Sequence, residues 1–573
     1  MGRGPVLILR RLAPLRPRPP RLPGSWEGRA ISIVGESTPP QNPLGFWCPV
    51  LHAHLPFVRH AEHEHFLEED WLYEAVIETY LPLLRMMDHL SRDRVRFRLT
   101  LTLSPPLLAM MQDPLLMKRC ERRIESLLKL ASREVKRTAT HDKHLFESTL
   151  FAEQDLSSLK ELFVSTYRRD LVAAFWKHRA AGSIEIITCG ATHGFLPLMR
   201  HTPEAVRAQI QVATADFKRI FGYQPEGIWL PECGYFEGVE TYLVEAGLRY
   251  SFMEAHGLTD AFPPPRFGVM APIMSTGGIV FFGRDMESSR QVWSSEVGYP
   301  GDPEYREFYK DAGWELPLKE LVDFMKPDEP RRPVGLKRHR VTGKVGQHLK
   351  EPYVRGHALK RVLEHAAHFA NERRLQAARV RPMMKRPPLI VSPYDAELFG
   401  HWWFEGPQFL EQVFRNLDAR NDIVATTPPA YLAQFDECEV ASPEMSTWGE
   451  KGYASVWLNE TNDWIYPHYD AAARRMIHLA DRYPHATGLL ARALNQAARE
   501  LLLAQASDWA FIMKTGTMVE YATNRVIGHL KDFSDLASEI EGERLDERAI
   551  RRFEKAWPIF PGLDYRVFSS SLH

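Results

Sequence analysis

From residue 44 onward, short β-rich apolar runs alternate with polar clusters and then with stretches of helical periodicity. The runs fall at 46–51, 95–103, 184–188, 227–230, 248–253, 279–282, 389–392 and 423–426. Such alternation predicts parallel strands joined by helical crossovers. Chemically distinctive residues stand just past the ends of the runs: His52 and His54, His193, Glu232, Glu254 and His256, Arg284 and Asp285, then Asp395. Ionisable residues gathered at one end of a sheet predict a barrel-like α/β domain with its site at the C-terminal face. Two segments break the rhythm. Residues 105–180 separate neighbouring strand runs by a long, charged, helix-patterned stretch, which reads as a helical insertion. From about 410 the pattern turns largely helical, and Leu490, Leu494, Ala497 and Leu501 recur as one buried helix stripe. The expected division is a 1–44 extension, a 45–409 α/β domain interrupted by 105–180, and a 410–573 helical domain that contributes to the site.

Composition narrows the class. A chain of 573 residues exceeds the size at which single cores stop growing, so more than one domain is expected. Its 72 basic and 73 acidic side chains nearly cancel, which argues against a polyanion-binding surface and hence against nucleic acid. No apolar stretch is long enough for a membrane span. Five cysteines, Cys48, Cys120, Cys189, Cys233 and Cys438, are odd in number and lack any Cys-x-x-Cys, consistent with a reducing, cytoplasmic setting without a disulfide framework. The first 44 residues are rich in Arg and Pro with no acid before Glu27, and are expected to be disordered.

Two acidic residues stand out among aromatic rings: Glu232 in Gly-Ile-Trp-Leu-Pro-Glu-Cys-Gly-Tyr and Asp395 in Tyr-Asp-Ala-Glu-Leu-Phe-Gly-His-Trp-Trp. A pair of carboxyls about 5 Å apart suffices for retaining glycosidic chemistry, and Trp rings offer flat apolar faces to sugars. The His-x-His pair His52 and His54, with His193, has two readings. The histidines either donate to sugar hydroxyls or, with an Asp such as Asp395, hold zinc or iron for a deacetylase-like hydrolase.

Longer motifs carry a resemblance. Leu-His-Ala-His-Leu-Pro-Phe-Val (51–58), Ile-Glu-Ile-Ile-Thr-Cys-Gly-Ala-Thr-His-Gly-Phe-Leu-Pro-Leu (184–198), the segments around Glu232 and Asp395, and the stretch from Trp448 to Trp464 resemble the five motif regions of glycoside hydrolase family 57, most closely its 1,4-α-glucan branching enzymes. The resemblance spans 45 to about 560 in order. It implies an incomplete (β/α)7 TIM-like barrel, an inserted helical domain, a C-terminal helical domain, and a retaining mechanism with neither metal nor cofactor. It further implies that Glu232 is the nucleophile and Asp395 the general acid/base. His52, His54, His193, Arg284, Trp293, Gly301, Trp402, Trp448, Trp457, Asp508 and Thr517 are implied to bind an α-glucan. Two positions depart from the pattern. The loop at 263–272, which shields the site in such branching enzymes, is compact and carries Phe267 where tyrosine is usual, and Thr517 stands where glutamine is common. Both bear on whether sugar or water takes the chain. The leading expectation is a branching enzyme that cleaves an α-1,4 bond and forms an α-1,6 branch. An α-amylase-type hydrolase, the metal-dependent hydrolase and a non-catalytic glucan-binding protein are the alternatives.

Overall fold

The computed structural model describes residues 42–294, 298–325 and 329–571; the Arg- and Pro-rich extension lies almost wholly outside them. Its centre is a ring of seven parallel strands: β1 (Gly45–Ala53), β2 (Leu99–Leu103), β3 (Ile184–Ile187), β4 (Gly227–Ile228), β5 (Tyr250–Met253), β7 (Val280–Gly283) and β8 (Leu389–Asp395). Ladder bonds run continuously through β8, β1, β2 and β3, and again through β4, β5 and β7. The two halves meet at thin seams. Trp229 N donates to Thr188 O (2.9 Å) between β3 and β4, and Asp285 N donates to Val391 O (2.8 Å) between β7 and β8. This is the incomplete barrel the family resemblance implies.

Three short strands lie outside the ring. β6 (Ile273–Met274) runs antiparallel beside β7, β10 (Glu439–Val440) adds to β6, and β9 (Ile423–Ala425) pairs with the first residues of β1. The two-residue strands β6 and β10 carry too little pattern to be read from sequence.

Strand alternation explains why β1 is buried at all nine positions. Phe46, Cys48 and Val50 point into the barrel, where they meet Ile187, Cys189, Trp229, Tyr250 and Phe282. Trp47, Leu51 and Ala53 point outward against the surrounding helices. A parallel strand covered on both faces reads as a continuous apolar run, which is why these strands were legible.

Residues 105–180 are helical, in four helices Pro105–Met111, Pro114–His141, Phe146–Glu161 and Leu171–Ala180. Asp113 starts the longest of them: its carboxylate accepts from Leu115 N and Leu116 N, and Pro114 takes the first helical position. A second excursion, between β7 and β8, has no strand among its described residues and only short helices before Arg355–Val380. A buried ion pair, Arg338 to Glu134 at 2.6 Å, fastens it to the first excursion, and another, Lys337 to Glu78 at 3.1 Å, fastens it to the helical stretch between β1 and β2.

Beyond 410 the run at 423–426 forms β9 as its pattern predicts, and the two-residue β10 follows before the chain turns wholly helical. The unbroken helical run starts at Ile465 and comprises Ile465–Arg482, Gly488–Ala504, Ser507–Thr515, Val519–Glu541 and Glu547–Ala556. Leu494, Ala497 and Leu501 are fully buried, as their spacing predicts, and Leu490 is partly so. All five cysteines are buried and unpaired. No helix among the described residues is long and apolar enough to cross a membrane.

Candidate active site

At the C-terminal mouth of the barrel lies a cleft of about 730 Å³, walled by residues from the strand ends and from the helical run. Glu232 sits one turn past β4 in a tight Pro231–Cys233 turn. Its backbone is left-handed (φ 62°), as is that of His193 (φ 60°) in the turn past β3. Non-glycine residues rarely adopt this conformation, and they persist in it where surrounding contacts over-determine them. Here those contacts are present: Trp448 N donates to Glu232 O (3.1 Å), and Ser507 N donates to His193 O (3.1 Å).

The Glu232 carboxylate is held at both oxygens. Trp448 Nε1–H donates to Oε2 at 2.8 Å and the Ser507 hydroxyl donates to Oε1 at 2.9 Å. Ser507 has one proton and gives it to Glu232, so at its 2.7 Å contact with His193 Nδ1 the imidazole is the donor. His193 Nε2 then accepts from His52 Nε2 at 3.0 Å. His54 completes the floor: its ring stacks on His193 with centroids 3.9 Å apart, Nδ1 meets Ser104 Oγ at 2.8 Å and Nε2 meets Asp508 at 3.0 Å.

Charge in this floor is governed by burial. Desolvation lifts Glu232 from an ordinary 4.5 to about 7, opposed by its two donors and reinforced by Asp508 and Asp395. Asp395, the last residue of β8, is lifted from 3.8 to about 6 by burial, moderated by Arg284 and His54. Burial also works against charge on His54, but Asp508, Glu232 and Glu397 outweigh it and raise its pKa. His52 and His193 are pushed well below the ordinary range by burial, with His54 adding repulsion, and stay neutral. Glu397, whose Oε1 accepts from the Tyr80 hydroxyl, is lifted by burial to about 8.

Comparison with known proteins gives the family. Residues 49–442 match the family model described as glycosyl hydrolase family 57. The chain belongs to glycosyl hydrolase family 57. Residues 468–568 match a second model, the C-terminal region of 1,4-alpha-glucan branching enzymes. Among curated relatives, the chain is 34% identical over 533 residues to the 1,4-alpha-glucan branching enzyme TK1436 of Thermococcus kodakarensis, covering 87% of this chain and 74% of that protein. Among solved structures it is similar to the alpha-amylase AmyC from Thermotoga maritima (41% identity, TM-score 0.86, 92% of this chain and 100% of that one). It is also similar to a family 57 branching enzyme from Pyrococcus horikoshii (32%, TM-score 0.83, 92% and 97%).

Within this family 57 cleft stand most of the residues singled out from sequence: His52, His54, His193, Glu232, Arg284, Trp293, Asp395, Trp402, Trp448, Trp457 and Asp508. Arg284 is paired with Glu254 at 3.0 Å. Trp293 and Trp402 are half-exposed, their rings open to the cleft. Trp457 contributes only an edge, being 1% exposed and stacked on Phe195. Trp403 is buried and Trp464 lies outside the cleft wall.

Three expected positions do not line this cleft. Gly301 closes the short helical turn Tyr299–Gly301. Thr517 is exposed and meets Thr515 Oγ1 at 3.2 Å just after the Ser507–Thr515 helix. Phe267 lies under the Arg266 guanidinium, 5.4 Å from it, and Arg266 is ion-paired to Glu439 of β10, which draws the loop onto the barrel flank. Ser507, Glu397, Glu74 and Trp71 were not singled out. The signal for Ser507 was its place in Ala-Ser-Asp-Trp beside Asp508; a serine in the first turn of a helix otherwise reads as a cap.

Proposed function

We propose that this protein is a retaining α-glucan-active enzyme whose leading activity is branching. Glu232 attacks the anomeric carbon of an α-1,4-linked glucan. Asp395 protonates the departing oxygen, then takes a proton from the 6-hydroxyl of an acceptor chain as the α-1,6 bond forms. The observation that carries this reading is the doubly hydrogen-bonded Glu232 facing the same sugar-sized cleft as Asp395. Two donors favour the ionised carboxylate a nucleophile needs. Asp395 has no such pair of donors and lines the same cleft, which supports giving it the acid role. The helical run, with Asp508 and Phe511 in the cleft wall, acts in this reading as a substrate-binding domain, and the similarity to the branching-enzyme C-terminal model supports it.

A hydrolytic reading has its own support. The 263–272 loop is held down by the Arg266–Glu439 pair and by backbone bonds exchanged between Phe262 and Ser442, so Phe267 does not cover the cleft. Water that reaches the glycosyl-enzyme hydrolyses it. Likeness to AmyC, described as an alpha-amylase, points the same way. Incubation with amylose separates the two. Measuring new reducing ends alongside α-1,6 linkages released by a debranching enzyme should show many branches with few net reducing ends. Reducing ends without branches would make the protein a hydrolase, and silence in both assays would remove the glucan reading.

A further inference from the structure

The aromatic wall of the cleft continues past Trp402. Phe308, from the excursion between β7 and β8, stacks on the Trp402 ring with centroids 4.5 Å apart and planes 28° from parallel. Tyr309 follows, set edge-on against Phe308 at 5.0 Å and 66% exposed. Trp402 belongs to the cleft wall and the other two rings do not, so the three touch in succession from the wall outward. A single exposed apolar ring on a protein surface needs no explanation, but one that extends an aromatic cleft marks a place where a ligand lies.

The segment that displays Tyr309 is tightly held. Tyr305 is fully buried and its hydroxyl meets His365 Nδ1 at 2.7 Å. Glu307, 5% exposed, pairs with Lys350 at 2.6 Å and accepts from Tyr309 N at 2.9 Å. Backbone bonds from Glu307 N to His339 O (2.9 Å) and from Val341 N to Tyr305 O (2.8 Å) tie the same stretch to its neighbour in the excursion. Phe308 is braced in turn, with the Lys337 ammonium 4.4 Å from its ring and the His401 ring edge-on at 5.1 Å. An aromatic side chain on backbone fixed in this way loses little freedom when a ligand covers it.

We propose that Tyr309, carried on Phe308, forms an outer subsite for an α-glucan chain that runs past Trp402, so that the protein holds long glucans more tightly than short ones. The inference rests on the α-glucan reading of the cleft. Continuity names the occupant: a chain lying on the half-exposed rings of Trp293 and Trp402 meets Tyr309 as it leaves the cleft. Tyrosine suits a sugar, because its ring offers a flat apolar face and its hydroxyl a polar tip. Phe308 is a positioning residue, since its ring lies against Trp402 and Tyr309 and sets where both stand.

The test is the dependence on chain length of Tyr309→Ala, a change at an exposed position. On amylose, followed by loss of iodine colour, which branching and hydrolysis both lower, Tyr309→Ala should raise KM about fivefold with kcat close to wild type. Tyr309→Phe, which keeps the ring, should restore most of the affinity. The penalty should shrink as the substrate is shortened through a series of maltooligosaccharides followed by product chromatography. Trp314→Ala removes a ring 50% exposed in the same excursion, with no ring contact to the cleft wall among the described residues, and should show no such dependence. An unchanged KM on amylose in Tyr309→Ala overturns the outer subsite while the glucan reading stands. A penalty equal at every chain length overturns it as well, because the ring then acts on the shape of the cleft. A wild type inert on amylose removes the glucan reading, and the outer subsite with it.

Discussion

Replacing Ser507 with alanine tests how Glu232 is kept ionised. The Ser507 hydroxyl donates 2.9 Å to Oε1 and, with Trp448, opposes the rise that burial imposes on Glu232. A hydrogen bond to a charged group contributes roughly 1.5–3 kcal/mol. At about 1.4 kcal/mol per pH unit, its loss raises the Glu232 pKa by about one unit, allowing for a water that takes over part of the role. The sign is fixed. The proposed mechanism needs Glu232 ionised and Asp395 protonated, so in it the rate on the acid side scales with the ionised fraction of Glu232. On the alkaline side, where Glu232 is fully ionised, only Asp395 limits. Ser507→Ala should therefore lower kcat/KM about tenfold on the acid side and leave the alkaline side close to wild type. This pattern holds even though Glu232, at about 7, lies above Asp395, at about 6. The assay is kcat/KM on a soluble maltooligosaccharide across the pH range in which the fold is intact by circular dichroism. An equal fall at every pH would mean the hydroxyl acts on the fold or the chemical step, and no fall would mean it does not govern the charge on Glu232.

Glu232→Ala and Asp395→Ala should each abolish turnover, while chelator does not lower it; retained activity in either variant would remove the carboxylate assignment. Phe267→Tyr should leave the ratio of branching to hydrolysis unchanged, because that ring lies under Arg266 and not in the cleft, whereas Glu439→Gln, which frees Arg266 and its loop, should change that ratio in linkage analysis of the products. Arg119→Met removes the guanidinium bonded at 2.7 Å to Glu69, 1% exposed, leaving a buried charge with His60 N and the Tyr73 hydroxyl as donors, and should destabilise by about 3 kcal/mol in urea unfolding.

The legible parts of this chain were those where one residue type has one use. Strands such as Ile184–Ile187 and Leu389–Asp395 are buried on both faces and announce themselves as apolar runs. Glu232 and Asp395 stood out because acids immediately after such runs belong to the sheet's open end. The excursion between β7 and β8 stayed hidden because it is held by ion pairs such as Lys337–Glu78 instead of by a periodic apolar face. Ser507 stayed hidden for the opposite reason: serine at a helix start has an ordinary use, and only the fold brings it against a residue 275 positions away.

That long reach makes the floor of the cleft a fastening as well as a surface. Glu232 and His193 belong to the barrel, Ser507 and Asp508 to the helical run, and the bonds between them cross from one to the other. A chain whose barrel has formed but whose last helices have not yet settled holds an unsupported Glu232, with burial incomplete and one donor missing. Competence to cut glucan then arrives with the final docking step of folding, so under mild denaturant activity should fade before the helices do.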